Sequence, residues 1–339
     1  MRPGRLKTLV LCIAGLAGTA QAEGLTFKAE GGLGFVGRDD IGIYSIVRQA
    51  PDTATSQFED YGSLTGGPTS LSFRGEANWA FDLGNGSKVR VGGILSGLDG
   101  SSSEVSPIYY LVAAQPGGPG DEPILGQIRV CAFPDPCATF DGKIDRSYTE
   151  LMPEVMVGRN GADGSTSWFG LQGFSGRLDE ATSNRAFRLA PASAPFDTTT
   201  TTDLDADVTG FMLAFQHERT LKSGLELFVG AGLGRYEFDT TGTTTDTDTP
   251  ANAKTVSGTV DGTRAQFAIG LEKPMGKGLT LGAMIRADYW TDQPRIQADW
   301  STPPCSPTLC APPGATGNFT LNSADQLSIS VGVSLTLRM

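Results

Sequence analysis

Acidic and basic residues recur at alternate positions in several segments of this chain, each beside apolar neighbours. Glu76 lies two residues after Arg74, and Asp288 two residues after Arg286. In an extended strand such residues share one face, and the apolar residues between them occupy the other. Carboxylates and cations on one face can form ion pairs or line a water-filled path. The complete set comprises the cations Lys28, Arg74, Arg90, Arg264 and Arg286 and the anions Glu30, Glu76, Glu150, Glu154, Glu226 and Asp288.

Catalysis by a histidine base finds little support, because the chain contains one histidine, His217. Serine and aspartate chemistry generally relies on such a base. His217 comes a few residues before a predicted turn at Leu221 and shares a strand face with Phe211 and Phe215, which favours an interfacial role. We therefore predict no catalytic residue, although a mechanism without histidine stays open.

Two further patterns could bind phosphates or cations but lack the necessary context. The glycines at 230–234 lie inside a predicted strand with no helix after it, so they do not form a dinucleotide-binding fingerprint. The Asp- and Thr-rich runs at 197–207 and 239–248 lack the fixed spacing of a calcium loop. We expect no cofactor and no metal, and we assign both acidic runs to solvated loops.

Four cysteines fall in two close pairs, Cys131 with Cys137 and Cys305 with Cys310. Both pairs lie in proline-rich segments with no histidine nearby, which disfavours zinc. In an oxidising compartment two local disulfides are the natural interpretation, although four cysteines allow three connectivities.

The first 22 residues have the organisation of a secretory signal peptide. Arg2, Arg5 and Lys7 precede an apolar stretch at 9–16, and Ala20-Gln21-Ala22 has the small-residue form that signal peptidases cleave. We expect a cleaved signal at 1–22, export from the cytoplasm, and a single mature domain at 23–339.

The composition limits how the mature chain could enter a membrane. No run of 18 or more apolar residues follows the signal, so only a closed barrel of strands could span a bilayer. The chain has 26 basic and 37 acidic residues, a formal net charge of −11. This balance argues against nucleic acid as a partner, because nucleic acid favours basic surfaces.

Strict alternation is clearest at the end of the chain, where Leu327, Ile329, Val331, Val333, Leu335 and Leu337 occupy every second position. Ten such segments predict ten strands, enough to cross a bilayer at about 9–11 residues each. Pro153 inside the fourth strand and weak alternation in the fifth leave eight or twelve strands as alternatives. The predicted strands are 25–37, 69–83, 88–98, 144–159, 166–178, 208–220, 225–238, 263–273, 279–290 and 326–338.

The connections between these strands alternate between short and long. Four are tight turns, among them the hairpin sequence Gly84-Asn85-Gly86-Ser87. Five are long polar loops, at about 38–67, 99–143, 179–207, 239–262 and 291–322. A transmembrane antiparallel up-and-down β-barrel has this arrangement, with short turns on one side and long loops on the other.

Aromatic residues near the strand ends predict rings at both membrane interfaces. Trp79, Phe81, Trp168 and Phe169 would form the turn-side ring, and Phe35, Tyr236, Phe238, Tyr289 and Trp290 the loop-side ring.

With its signal peptide, alternating strands and terminal strand, the chain resembles small bacterial outer-membrane β-barrel proteins of the broad porin-like and surface-barrel superfamily. The last residue in that superfamily is usually aromatic, whereas here it is Met339. The resemblance implies location in the outer membrane, insertion by the barrel assembly machinery, and contact with outer-membrane lipid and lipopolysaccharide.

Three functions follow as expectations. The first is a structural or surface-interaction role, with the loops meeting a surface ligand and the charged residues packed as a network inside a narrow barrel. The second is a small porin-like channel lined by the same residues. An outer-membrane enzyme is the third and least supported.

Overall fold

The ten predicted strands are all present, and in the computed structural model they close into one antiparallel barrel. The structure describes residues 21–37, 41–42, 45–49, 56–60, 63–64, 69–108, 110–112, 128–130, 138–188, 196–246, 253–299 and 318–339. Each strand pairs with its neighbour in sequence, and β1 pairs with β10 to complete the ring. The strands are β1 (Gln21–Gly37), β2 (Thr69–Gly84), β3 (Ser87–Ile108), β4 (Ala138–Asn160), β5 (Thr166–Arg188), β6 (Phe196–Thr220), β7 (Glu226–Asp246), β8 (Lys254–Gly276), β9 (Leu279–Asp299) and β10 (Asn318–Arg338).

The four tight turns all lie at one end of the barrel, which we call the turn side. Asn85 and Gly86 have φ angles of 54° and 73°, so the β2–β3 hairpin has positive φ at both central positions, as a type I′ turn requires. The ends of β1 and β10 meet on the same side. There Leu25 and Met339 exchange two backbone hydrogen bonds, of 3.2 and 2.9 Å.

Most strands extend well beyond their predicted bounds at the opposite end, which we call the outer side. The β6–β7 ladder continues to Thr200 and Asp246, and β8 begins at Lys254, inside segments predicted as loops. Beyond the membrane the outward face meets water instead of lipid and need not be apolar, so the alternation that marks a spanning strand is lost. Threonine still favours extended backbone, and Thr202 pairs with Thr244 through hydroxyls 3.3 Å apart.

Among the described residues, three short hairpins lie in the segments that connect strands on the outer side. They pair Ile41–Gly42 with Ser63–Leu64, Ser45–Gln49 with Ser56–Asp60, and Tyr110–Val112 with Ile128–Val130. The four loop cysteines and most of the predicted signal peptide lie outside the described residues. Within the described ranges, no helix is long and apolar enough to cross a membrane.

The outward face of the barrel carries a continuous apolar band on the turn-side half. Leu171, Leu213 and Leu233 lie opposite one another on β5, β6 and β7, and each is more than half exposed. Water-soluble proteins rarely expose apolar area on this scale. A closed ring also leaves no unpaired strand edge, which a bilayer requires. The chain is therefore a transmembrane β-barrel of ten strands, as predicted.

The aromatic rings are only partly formed as predicted. Phe35, Trp79 and Phe169 are about half exposed on the outer surface. Trp168, Tyr236, Phe238 and Trp290 are instead almost fully buried inside the barrel. For Trp168 and Trp290 the reason is alternation, because each directly follows or precedes an aromatic that faces outward. Tyr236 and Phe238 face inward for the same reason, because they alternate with the exposed residues Arg235, Glu237 and Asp239 along β7.

Pro153 is accommodated inside β4 without a change of register. It remains opposite Gly93 of β3, while the pairing with β5 is interrupted only between Leu151 and Glu154. Proline has no amide hydrogen to donate, so this local gap is the expected cost.

Candidate functional site

The eleven charged residues picked out from the sequence all face the inside of the barrel. Each has an oppositely charged group within 3.6 Å. Three further residues join them, Glu218, Glu272 and Arg338. We call these fourteen residues the lumen network, and it forms three levels along the barrel axis.

On the turn side, the network joins neighbouring strands and also strands that are not neighbours in the sheet. Lys28 of β1 binds Glu272 of β8, with Nζ and Oε1 2.6 Å apart. Arg90 of β3 lies 3.1 Å from Glu154 of β4 and 3.6 Å from Glu218 of β6. The guanidinium of Arg90 also lies 4.8 Å from the ring centroid of Trp168. The turn-side opening is therefore crossed by side chains.

The middle level is built on one carboxylate–guanidinium fork. Arg286 donates from Nε and Nη2 to the two carboxylate oxygens of Glu30, at 2.8 and 2.7 Å. Glu76 accepts from Arg74 at 2.6 Å and lies 3.6 Å from Arg286. These four side chains are between 8% and 21% exposed, so their charges are mostly buried and compensate one another.

The third level is centred on Arg264, whose side chain is 1% exposed. Its two terminal nitrogens donate to the oxygens of Glu150 across the lumen, at 2.6 and 2.9 Å. Its Nε donates to Asp288 on the adjacent strand at 3.0 Å. Tyr148 and Ser96 donate to the same Glu150 carboxylate at 2.9 and 2.8 Å. Both carboxylates and the guanidinium therefore have hydrogen-bonding partners.

An apolar layer lies directly above Arg264 on the outer side. Its centre is Trp290, whose ring contacts Tyr148, Phe174, Tyr236 and Phe238 with centroid separations of 4.8–6.0 Å. We call these five residues the aromatic layer. Buried aliphatic side chains surround it, namely Ile94, Met152, Leu178, Leu204, Val208 and Met212. The upper lumen is thus packed like a protein core.

Two cavities inside the barrel are lined by residues that the structure describes. The larger, of about 130 Å³, lies at mid-height and is lined by Arg74, Arg286, Gln172 and Asp288 among others. It can hold several water molecules, since one needs about 10–15 Å³. The smaller, of about 30 Å³, lies near Arg146 and Trp290. Both touch Leu98, Tyr148, Asp288 and Ser328, so they are close to one another along one side of the barrel.

Sequence reasoning missed Glu218, Glu272 and Arg338, although a signal existed. Glu272 directly follows the outward-facing Leu271, which places it on the inward face of β8. Glu218 and Arg338 occupy corresponding positions near the turn-side ends of β6 and β10. Charged residues so close to a turn are expected to be solvent-exposed. Only closure of the barrel brings these residues close to their partners.

His217 lies on the outer surface near the turn side, on the strand face predicted for it. Its Nδ1 lies 2.9 Å from the hydroxyl of Ser167 on the neighbouring strand. A nucleophile and a base at this distance form part of a hydrolytic arrangement, but such an arrangement also needs a group that orients the base. Within the described ranges, no contact of a carboxylate with His217 is recorded, and no group of three potential metal ligands is present.

No protein-family model matches the chain, and no curated protein matches it. Among solved structures, it is similar to the outer membrane protease OmpT from Escherichia coli, with 9% identity, a TM-score of 0.47, and 94% of this chain and 98% of that chain covered. A FadL homologue from Pseudomonas aeruginosa has 8% identity, a TM-score of 0.33, and coverage of 93% and 90%. The outer membrane channel DcaP of Acinetobacter baumannii has 8% identity, a TM-score of 0.22, and coverage of 95% and 98%.

Proposed function

We propose that this chain is a closed outer-membrane scaffold, whose lumen is sealed by packing and whose outer side presents loops to partners at the cell surface. The observation that carries the proposal is the stacking of the aromatic layer on the Arg264 ion pairs. Arg264 spans the lumen to Glu150, and Trp290 lies directly against its guanidinium. A route for solutes would have to break a buried ion pair and displace a packed aromatic core.

The proposed interaction surface is the part of the barrel that extends above the apolar band, together with the loops. Its outward face is acidic, and Asp205, Asp207 and Asp239 are all exposed there. Such a surface favours cationic or cation-bridged partners at the cell surface. Outer-membrane lipid and lipopolysaccharide would surround the barrel, and the barrel assembly machinery would insert it.

A narrow channel is the alternative, and the two neighbouring cavities favour it. They follow the side of the barrel where inward residues are small, including Ser70, Ser72, Ser328 and Ser330. A shift of Tyr148 or Asp288 would join them. This path would run along one edge of the aromatic layer, past Tyr148 and Trp290, so it is the most direct competitor of the scaffold role.

Single-channel recording in a planar bilayer tests the two functions. The folded protein should show no steady conductance. A Phe174→Ala/Trp290→Ala variant, which empties the centre of the aromatic layer, should conduct. The matched control is Phe169→Ala on the same strand as Phe174, because Phe169 faces outward and is 59% exposed.

The outcome separates the proposals as follows. Silence in the wild type and in Phe169→Ala, with conductance in the double variant, supports a lumen sealed by the aromatic layer. A steady conductance of one size in the wild type, altered by Arg74→Ala/Arg286→Ala, would contradict the scaffold role and assign the lumen to solute passage.

A further inference from the structure

A row of polar side chains crosses four adjacent strands on the outer surface of the barrel, near the turn side. Ser87, Arg159, Ser167 and His217 lie directly opposite one another across β3, β4, β5 and β6. Directly opposed residues have Cβ atoms about 4.5–5.5 Å apart, so adjacent members can contact a common ligand. The row is continuous, and we call it, with Arg219, the turn-side polar row.

Arg219 extends the row by one step toward the turns. It lies two residues after His217 on the same face of β6, and its side chain is 50% exposed. Its Nη2 lies 3.3 Å from Asp163, a turn residue whose side chain is also about half exposed. Asp163 offsets the charge of Arg219, and Arg159 adds a second guanidinium to the row, so the five residues and Asp163 together carry a net positive charge.

The row lies at the turn-side edge of the apolar band. Two residues farther into the membrane, three of these four strands, β4, β5 and β6, present Val157, Phe169 and Phe215 outward, and these are 57%, 59% and 42% exposed. Acyl chains lie against such a surface. A phospholipid whose acyl chains lie on this surface would place its phosphate group level with the row.

The chemistry of the row suits a phosphate. Guanidinium groups present planar pairs of donors that match phosphate oxygens. The Ser167 hydroxyl can donate to Nδ1 of His217, which leaves the hydrogen of the neutral ring on Nε2 as a further donor. Within the described ranges, no ion pair of Arg159 is recorded, so its donors are open to a ligand.

We propose that Arg159, Ser167, His217 and Arg219 form a binding site for the phosphate headgroup of a periplasmic-leaflet phospholipid, with the acyl chains along Val157, Phe169 and Phe215. The site rests on the proposed insertion of the barrel in the outer membrane with its turns toward the periplasm. It holds one lipid against β4–β6 and gives the Ser167–His217 pair a binding role.

Native mass spectrometry of the full chain, folded and extracted in neutral detergent, tests the site by titration with phosphatidylglycerol. The wild type should retain one tightly bound lipid. Arg159→Gln/Arg219→Gln should weaken binding by about thirtyfold, on the usual worth of two arginines near an anionic lipid surface. The charge-matched control is Lys273→Gln/Lys277→Asn, at the β8–β9 turn on another part of the same rim.

Insertion of each variant is verified first, by protease protection in vesicles. If the wild type does not insert, the proposed membrane placement is wrong, and the proposed lipid site is wrong as well. If it inserts but both double variants lose lipid equally, the site alone is wrong and only a general attraction of basic residues remains. Release of lysophospholipid by the wild type but not by Ser167→Ala would overturn the binding role in favour of hydrolysis.

Discussion

The guanidinium of Arg264 lies 4.0 Å from the ring centroid of Trp290 while its nitrogens bind Glu150 and Asp288. One side chain therefore joins the charged and apolar halves of the lumen. Its position makes both halves dependent on it, because the ion pairs fix the guanidinium and the guanidinium supports the ring.

Replacing Arg264 with Met should strongly destabilise the barrel. Glu150 and Asp288 would lose their shared cation while remaining largely buried, and breaking a buried pair in this way costs about 3–5 kcal/mol. Urea unfolding in lipid vesicles measures the loss. Arg177→Met is the matched control, because Arg177 also contacts two carboxylates, those of Asp179 and Asp205, but is 52% exposed. A similar loss in both variants would contradict the role given to burial.

Leu178→Ala should behave as a core substitution although Leu178 lies inside a barrel. Its side chain is fully buried among the residues around the aromatic layer, so truncation should cost about 2–5 kcal/mol and leave a cavity. The measurement is again the free energy of unfolding. Val105→Ala, on an exposed outward position of the outer side, serves as control. A negligible cost for Leu178→Ala would indicate that the upper lumen is loosely packed.

Gly262 should not tolerate a larger residue. A Cβ atom there would contact the Tyr236 ring and lie 2.6 Å from the carbonyl oxygen of Thr291, to which the Tyr236 hydroxyl donates. Gly262→Val should displace Tyr236 and cost about 1–3 kcal/mol, and should reduce the near-ultraviolet circular dichroism of the aromatic layer. At Gly31 nothing lies within 4 Å of an added Cβ, so Gly31→Val should leave both signals unchanged. Equal effects would argue against this close approach.

The carboxyl of Asp163 in the β4–β5 turn should titrate below its ordinary range. The Ser165 hydroxyl and backbone amide donate to it, and with nearby Arg219 they hold its pKa below the ordinary value. A lowered pKa means that this stabilisation of the turn is present at neutral pH and is lost as the pH falls through the pKa of the folded state. Carbon-detected NMR of the carboxyl group measures it. Ser165→Ala should move the pKa upward, and an unchanged value would assign the shift to the Ser165 backbone amide and Arg219.

Alternation alone predicted the strands wherever one face meets lipid and the other meets the lumen. Alternation did not predict the strand segments above the membrane. Thr202 and Thr244, for example, pair in the β6–β7 ladder, but the threonine runs in which they lie do not alternate between apolar and polar residues. Local chemistry there is compatible with loop or strand, and only pairing with a neighbour decides between them.

The inward position of charged residues could be predicted, but their partners could not. Asp288 lies on the strand next to Arg264, within reach of register arguments. Glu150 lies on the opposite wall, and its distance from Arg264 depends on barrel diameter and strand tilt. Neither quantity is encoded in any local pattern. The turn-side polar row was missed for a related reason, because its members come from four separate segments of the sequence.

The β1–β10 seam, where Thr26 lies opposite Arg338, affects the order in which the barrel folds. Every other ladder of the barrel joins strands adjacent along the chain and can form as the chain is delivered. The seam joins the first strand to the last, so it carries the largest loop-closure entropy and must form late. Until it does, β1 and β10 both present open edges, and any two unfinished copies could pair through them. The vulnerable period of this protein is therefore the interval before ring closure, and its length is set by whatever delivers β10 to β1.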